Sequence, residues 1–323
     1  MTPEDLALLR MLRLDGLAQT TAGELIGDLA AVLATIAERL AGRTGLDDSF
    51  VSARLVALQT QLRTARDALA ASIETRIGAA LDVVIETTPA AVTQQLRAAV
   101  PSLDVSFALV PFPQLRAVKD IPHDGFTWTR WGQKLADGTL SRVESELRQA
   151  VSLGEPVRTA AKRLERVGEL GRTSAVRLAR TALNATANRA QMTQWRDPEV
   201  KQYAEGWRFT AILDSRVSQV CAALHGQIFS LDRTDAPFPP RHPNCRSSVV
   251  LVFKEGRFTR AHYEARGSGE DWLRGLPPAE QREILGASRF QAFQRGVTLG
   301  DMVTYDKPLA VADLKRLYPE QKS

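Results

Sequence analysis

From Val51 the apolar residues fall at Val51, Leu55, Leu58, Leu62, Ala65 and Leu69, in alternating steps of four and three, and the stripe continues through Ile73, Ile77 and Leu81. Side chains three and four apart share one face of a helix, so the pattern specifies a long amphipathic helix and not strands, whose period is two. Residues Met1 to about Val100 are rich in Ala, Leu and Arg, and Thr2 and Pro3 stand where a helix cap and a first-turn residue belong. The stripe can be a coiled-coil seam against another chain or the buried face of a helix in its own domain. Only a few heptads are sustained, which favours packing within the domain.

This helical pattern ends in a proline-punctuated stretch, VPSLDVSFALVPFPQLRAVKDIPHDG, with Pro101, Pro111, Pro113 and Pro122. Each removes an amide donor and pushes the preceding residue toward extended backbone, so a boundary is placed there. Four segments follow: an N-terminal helical region (1–110), the proline-rich linker with a basic helical part (111–200), a small α+β module (201–256) and a helical tail (257–323). In the basic part a helix follows GFTWTRW through Val151, breaks at Gly154, resumes from Val157 to Val167 and restarts near Thr173, with GELGRTS as a helix–helix turn. In the module WRFTAIL, GQIFSL and SSVVLVF surround a short helix starting at Asp214, whose carboxylate is expected to cap it. In the tail Pro277 and Pro278 open a helix that Gly286 closes. The fold class is mainly α with a small α+β module.

With 44% hydrophobic and 24% charged residues the chain has the ordinary mixture that buries a core. Its first residues, MTPEDLALLRMLRLDG, carry acids before the apolar run and arginines within it, unlike a signal or transit peptide. No uninterrupted run approaches the roughly 18 apolar residues of a membrane helix, so no membrane partner is expected and the chain is placed in the cytoplasm when made. A formal net charge of +5 is concentrated in one place: from Ser141 to Arg196 eleven Lys or Arg face five Glu, a difference of +6. Most are Arg, whose fork suits phosphate, and no base-reading motif accompanies them. Weak, non-specific contact with double-stranded DNA is therefore expected, with Arg177, Arg180 and Arg189 as the contacts. Arg180, Asn184 and Asn188 fall four apart and line one polar face, away from Val176, Leu183 and Ala190. That face is either solvated or a contact surface, the solvated reading being the default.

The densest chemistry lies in PFPPRHPNCRSSVVLV (residues 237–252), which sets His242 and Cys245 three apart before a β-branched run. Cys221 and His225, four apart on the short helix, precede it, and sixteen residues separate His225 from His242. The series Cys-x3-His, His-x2-Cys has ligand types and spacings similar to structural zinc sites, so zinc on Cys221, His225, His242 and Cys245 is one reading. A buried pair of free thiols beside two backbone-bonded histidines is the second, and a disulfide the third. The same residues also permit a thiolate nucleophile with an imidazole base, hence a hydrolase, but no third residue is placed to orient the histidine. Two cysteines are too few for a disulfide scaffold, and a reducing cytosol keeps them available to a metal.

With these residues in view, the region from about Gly125 to Val252 resembles the phage Mu F-like family, the minor head proteins also called the SPP1 head-morphogenesis type. The family's Arg-Thr-Glu with a downstream Asn is similar to Arg180, Thr181, Ala182 and Asn188. Its Asp-x-Arg, Cys-x-x-Cys, Leu-x-Gly and Pro-Pro-x-His-Pro-x-Cys-Arg-Cys series is similar to Asp214, Arg216, Cys221, Leu224, Gly226 and PPRHPNCRS. Ala182, Ser218 and Ser247 depart from it, the last two standing where the family has cysteine. The resemblance implies a tailed-phage or prophage structural protein without enzyme activity. It implies a protein found in the virion, with portal protein, other capsid proteins and packaged DNA as partners, and acting in capsid assembly or DNA delivery.

Overall fold

The computed structural model describes residues 1–41, 48–100, 110–153, 155, 157–305 and 307–319. Pro101, Gly154 and the side chains of Val51, Leu55 and Leu58 lie outside the described part. Helices dominate: α1 (Pro3–Ala41), α2 (Asp48–Ala99), α3 (Phe112–Arg116), α4 (Trp128–Ser152), α5 (Val157–Trp195) and α6 (Pro198–Lys201). The strand-bearing part follows as β1 (Ala204–Thr210), α7 (Gln219–Leu224), β2 (Ile228–Phe229) and β3 (Ser248–Phe253). The tail holds α8 (Arg260–Glu264), α9 (Gly269–Arg274), α10 (Pro278–Leu285), α11 (Ala287–Gln294) and α12 (Val311–Leu317). Two compact units result, one of residues 1–14, 85–115 and 184–323, the other of 15–84 and 116–183. They cut across the four sequence segments, because α1, α2 and α5 each contribute to both.

The unit of residues 15–84 and 116–183 is helical throughout. From α2 it buries Leu62, Leu69, Ile73, Ile77 and Leu81, the stripe read from the sequence. From α1 it buries Ala18, Ala22, Leu25, Leu29, Leu33 and Ile36, again in steps of three and four. The expected turn at GELGRTS does not form, and α5 runs through it unbroken. Its glycines serve close packing instead: a Cβ on Gly171 would stand 2.3 Å from Leu29 Cδ2, and one on Gly168 would stand 3.2 Å from Leu33 Cδ1. A mid-helix glycine costs about 1 kcal/mol relative to alanine, and here the close approach of α1 offsets it. Arg76 joins α2 to α1 by pairing with Asp28 at 2.6 Å and Glu24 at 3.0 Å.

In the other unit α1 starts with a reciprocal cap, the Asp5 N–H donating to Thr2 Oγ1 at 3.1 Å and the Thr2 N–H to Asp5 Oδ2 at 2.7 Å. Glu4 in that first turn pairs with Arg208 and Arg266. Arg208 sits in the central strand with a side chain 1% exposed, so the carboxylate compensates a buried charge. The sheet is antiparallel in the order β2–β1–β3, with Trp207 opposite both Phe229 and Leu251. Every residue of β3 is buried, which is why SSVVLVF reads as a continuous apolar run. Val92 and Leu96 of α2 and Met192 and Trp195 of α5 share one core with the sheet.

β1 ends at Thr210, short of the expected Leu213, and α7 begins five residues after Asp214. Its N-cap is Ser218, whose hydroxyl accepts the Cys221 N–H, so the capping role expected of Asp214 falls to Ser218. In the tail α10 opens at Pro278 and stops at Gly286, whose φ of +75° suits glycine. Pro3–Glu38 of α1 is long and apolar enough to cross a bilayer by length and composition, a property spread along the helix that a search for uninterrupted runs passes over.

Gly206 and Gly138 separate packing from propensity. A Cβ on Gly206 would lie 2.3 Å from the Phe229 carbonyl oxygen, a backbone atom that cannot swing aside, whereas Gly138 in α4 has nothing within 4 Å. Gly206→Ala is expected to destabilise by about 1–3 kcal/mol. Gly138→Ala is expected to stabilise by up to about 1 kcal/mol. Denaturant titration of both variants checks the opposite signs.

Candidate metal centre

Two short segments bring three metal-ligating side chains together. The Ser218 cap places Cys221 in the first turn of α7. Across from it, the Cys245 N–H bonds the His242 carbonyl at 3.2 Å, closing a tight turn in which Asn244 takes a φ of +70°. The turn presents the His242 ring and the Cys245 thiol to Cys221. Cys221 Sγ lies 3.3 Å from His242 Nε2 and 3.6 Å from Cys245 Sγ, and the three donor atoms are all within 4.8 Å of one another. Donors on a tetrahedral zinc, with Zn–S about 2.3 Å and Zn–N about 2.0–2.1 Å, stand about 3.5–3.8 Å apart. His242 Nδ1 lies 2.9 Å from the Pro243 carbonyl, which only accepts, so Nδ1 donates and leaves Nε2 to face the sulfurs.

The electrostatics favour a thiolate here. Burial opposes the ionisation of Cys245, but hydrogen bonds from Cys221 and His242 and the charge of His242 outweigh it and hold its pKa well below the usual thiol range. Its hydrogen bond to Cys245, together with burial, pushes the Cys221 thiol well up. Burial lowers the His242 pKa, and the hydrogen bond and charge of Cys245 more than reverse this. Two sulfurs and a ring nitrogen are donor types that suit a borderline-soft divalent cation such as zinc, which would displace the proton the sulfurs share.

His225 lies outside this cluster. The four-residue spacing would align it with Cys221 only if α7 continued, but the helix ends at Leu224 and His225 is its C-cap. Its Nδ1 accepts the Ala211 N–H at 3.0 Å, and burial together with nearby Arg208 pushes its pKa down to about 4. It is a neutral, backbone-bonded histidine, the second of the roles open to such a residue from the sequence.

The segment carrying Cys245 is held from two sides. Asn184 Nδ2 donates to the Cys245 carbonyl at 2.7 Å, and Asn188 Nδ2 reaches the Ser247 carbonyl at 3.3 Å and Asn184 Oδ1 at 2.6 Å. Ser248 Oγ returns a bond to Asn188 Oδ1 at 2.9 Å. Both asparagines are buried, so the polar stripe of α5 is an internal contact surface here and not a solvated one. On the other side Arg246 grips Asp214 with two bonds of 2.6 and 2.8 Å, and Asp214 Oδ1 also accepts the Arg216 N–H at 3.0 Å. The Arg246 hydrogen bonds hold the Asp214 carboxyl below its ordinary range. An Asn pair four apart facing a strand, and an Arg beside the Cys, are the sequence signals that mark this support.

The three nominated DNA contacts are placed differently from one another. Arg177 is exposed, Arg180 pairs with Asp15 at 2.6 Å, and Arg189 is half-buried. Other cations of the basic segment are also taken, Arg148 by Glu144 and Arg163 by Glu146 and Glu155.

A helical protein whose small antiparallel sheet carries a Cys/His/Cys cluster is the class that fold and site define. Residues 141–250 match the family model described as Phage Mu protein F like protein, so this stretch of the chain is similar to that family. That is a family of phage head-morphogenesis proteins, and not a known enzyme family. No curated protein and no solved structure matches the chain significantly.

Truncating Asn188 leaves the Ser247 carbonyl, the Ser248 hydroxyl and Asn184 Oδ1 each short of a partner. Asn188→Ala is expected to cost about 2–4 kcal/mol, the sum of a few incompletely satisfied buried groups. Equilibrium unfolding checks it, and a loss below that of an ordinary surface substitution would contradict the clamp.

Proposed function

We propose that the chain is a minor head protein of a tailed phage or prophage, carried in few copies at the portal vertex. There it binds portal protein and other capsid proteins and acts in capsid assembly or DNA delivery. The observation that carries this reading is the match of residues 141–250, which takes in the α5 clamp, the Cys/His/Cys cluster and β1 to β3 up to Val250. The expected role of the cluster is structural: zinc on Cys221, His242 and Cys245 ties α7 to the turn before β3, converting binding free energy into folding free energy. The exposed cations of the basic segment, Arg177 among them, support weak contact with packaged DNA. A hydrolase built on the same residues is disfavoured because Cys221 and Cys245 are 2% and 0% exposed, leaving no room for a substrate at either sulfur.

The direct experiment compares heads assembled with and without portal protein. The chain should co-purify with portal-containing heads and be absent from portal-less ones; equal incorporation in both would contradict the portal assignment. Protein purified without chelator should hold about one equivalent of zinc by elemental analysis. Cys245→Ser should lose both the metal and the fold of residues 201–256, whereas fully folded, metal-free wild-type protein would contradict the zinc reading. Binding to duplex DNA should weaken steeply with salt and further in Arg177→Gln, and salt-independent binding would remove DNA as a partner.

A further inference from the structure

Beyond the end of β1 a recess of about 190 Å³ opens between the loop that carries Asp214 and the helices α9 and α10. Leu213, Trp272, Leu276 and Ile284 line it, together with the carboxylates of Asp214, Glu280 and Glu283. The four apolar side chains pack on the core of this unit and are only half-buried, so each keeps a bare side. The walls are fixed without any occupant. Gln219 Nε2 of α7 donates to the Ile284 and Leu285 carbonyls, both at 3.1 Å, and Gln281 Nε2 donates to the Leu276 carbonyl at 2.8 Å.

The charge in this recess is unbalanced. Asp214 is answered by Arg246, whereas the carboxylates of Glu280 and Glu283 have no ion pair or hydrogen bond among the described residues. Glu280 stands in the first turn of α10, where the helix dipole favours an acid. Glu283 stands in the last turn, where the dipole disfavours one. Residues adjacent in sequence do not face each other on a helix, so Arg282 does not relieve it. Glu280, Glu283 and Ile284, three and four apart, share the face that lines the recess.

These features select the occupant. A metal ion needs its donors gathered, and among the described residues the group of three donors within 4.8 Å of one another is Cys221, His242 and Cys245, not these carboxylates. The volume is below the roughly 300–1,000 Å³ of pockets that enclose a whole small molecule, so it suits a single side chain. Arginine matches the lining: an apolar stem for aliphatic walls, a planar cation that stacks on an indole, and a fork of donors for carboxylates. The ammonium of lysine is more strongly hydrated and fits less well.

We propose that this recess is a docking pocket for an arginine side chain presented by a separate partner protein, the stem lying against Leu213, Leu276 and Ile284 and the guanidinium meeting Trp272, Glu280 and Glu283. The inference needs neither the metal reading nor the portal reading.

The probe is Nα-acetyl-arginine methylamide, titrated into full-length protein while NMR follows the indole N–H signal of Trp272, identified by its loss in Trp272→Phe. The signal should shift and saturate in the millimolar range. The citrulline analogue has the same shape without the charge and should bind about ten-fold more weakly or worse. The Glu280→Gln, Glu283→Gln double variant should weaken the arginine probe by about ten-fold or more. A Trp272 signal that does not move, equal binding of the two probes, or equal binding of the arginine probe to wild type and double variant overturns the proposal. The comparison of the two probes uses wild-type protein and so holds even where the variant does not fold. Sedimentation at rising concentration separates the sources of the arginine. A monomer leaves it to another protein, whereas self-association that Glu283→Gln removes gives it to a second copy and overturns the separate partner.

Discussion

Two buried side-chain amides on α5 carry the arrangement of the candidate site. Asn184 and Asn188 take the carbonyls of Cys245 and Ser247, the last two residues of the turn that face α7 before β3 begins. A backbone leaving a sheet inside a core has no strand partner for those carbonyls, and water cannot reach them. Leaving each unpaired would cost about 1–3 kcal/mol. Supplying donors from one helix face satisfies the carbonyls and also fixes where Cys245 and Ser247 point. The cluster is thus positioned by groups that never touch a metal.

Buried polar groups of this kind help only when complete. The Asn188 amide is bonded at both ends, and Ser248 closes the circuit from the strand. Arg208 is compensated in charge although not in every hydrogen bond: Glu4 reaches the guanidinium and the Gly267 carbonyl accepts a bond at 3.1 Å, while the buried Nε has no partner. Arg246 and Asp214 form a third such pair, beside the thiols but facing away from them. The arginines near the site are thereby consumed by structure. In the segment from Ser141 to Arg196, Arg148, Arg163 and Arg180 are likewise paired, whereas Arg142, Lys162, Arg166, Arg172 and Arg177 are exposed.

Much of the architecture was legible from period and punctuation. The stripe from Leu62 to Leu81, the helix between Pro278 and Gly286 and the buried run of β3 follow from side-chain direction alone, and the structure contains each. What stayed hidden were features that depend on a partner. Gly168 and Gly171 look like a turn until Leu33 and Leu29 are known to pack against them. Asn184 and Asn188 look like solvated surface until β3 arrives. All three residues that come together are readable from the sequence: Cys245 and His242 lie in one turn, and Cys221 is the only other thiol. His225 failed because the i, i+4 rule needs a helix that continues, and this one stops at Leu224. Asp214 was misassigned for a similar reason, since a serine nearer the helix start took the cap and left the carboxylate to Arg246.

The central proposal is that Cys221, His242 and Cys245 hold a zinc ion, and X-ray absorption at the zinc edge on protein purified without chelator tests it most directly. The expected first shell has two sulfurs at about 2.3 Å and the imidazole nitrogen at about 2.0–2.1 Å. A shell without sulfur, or protein that is folded and carries no zinc, would contradict it.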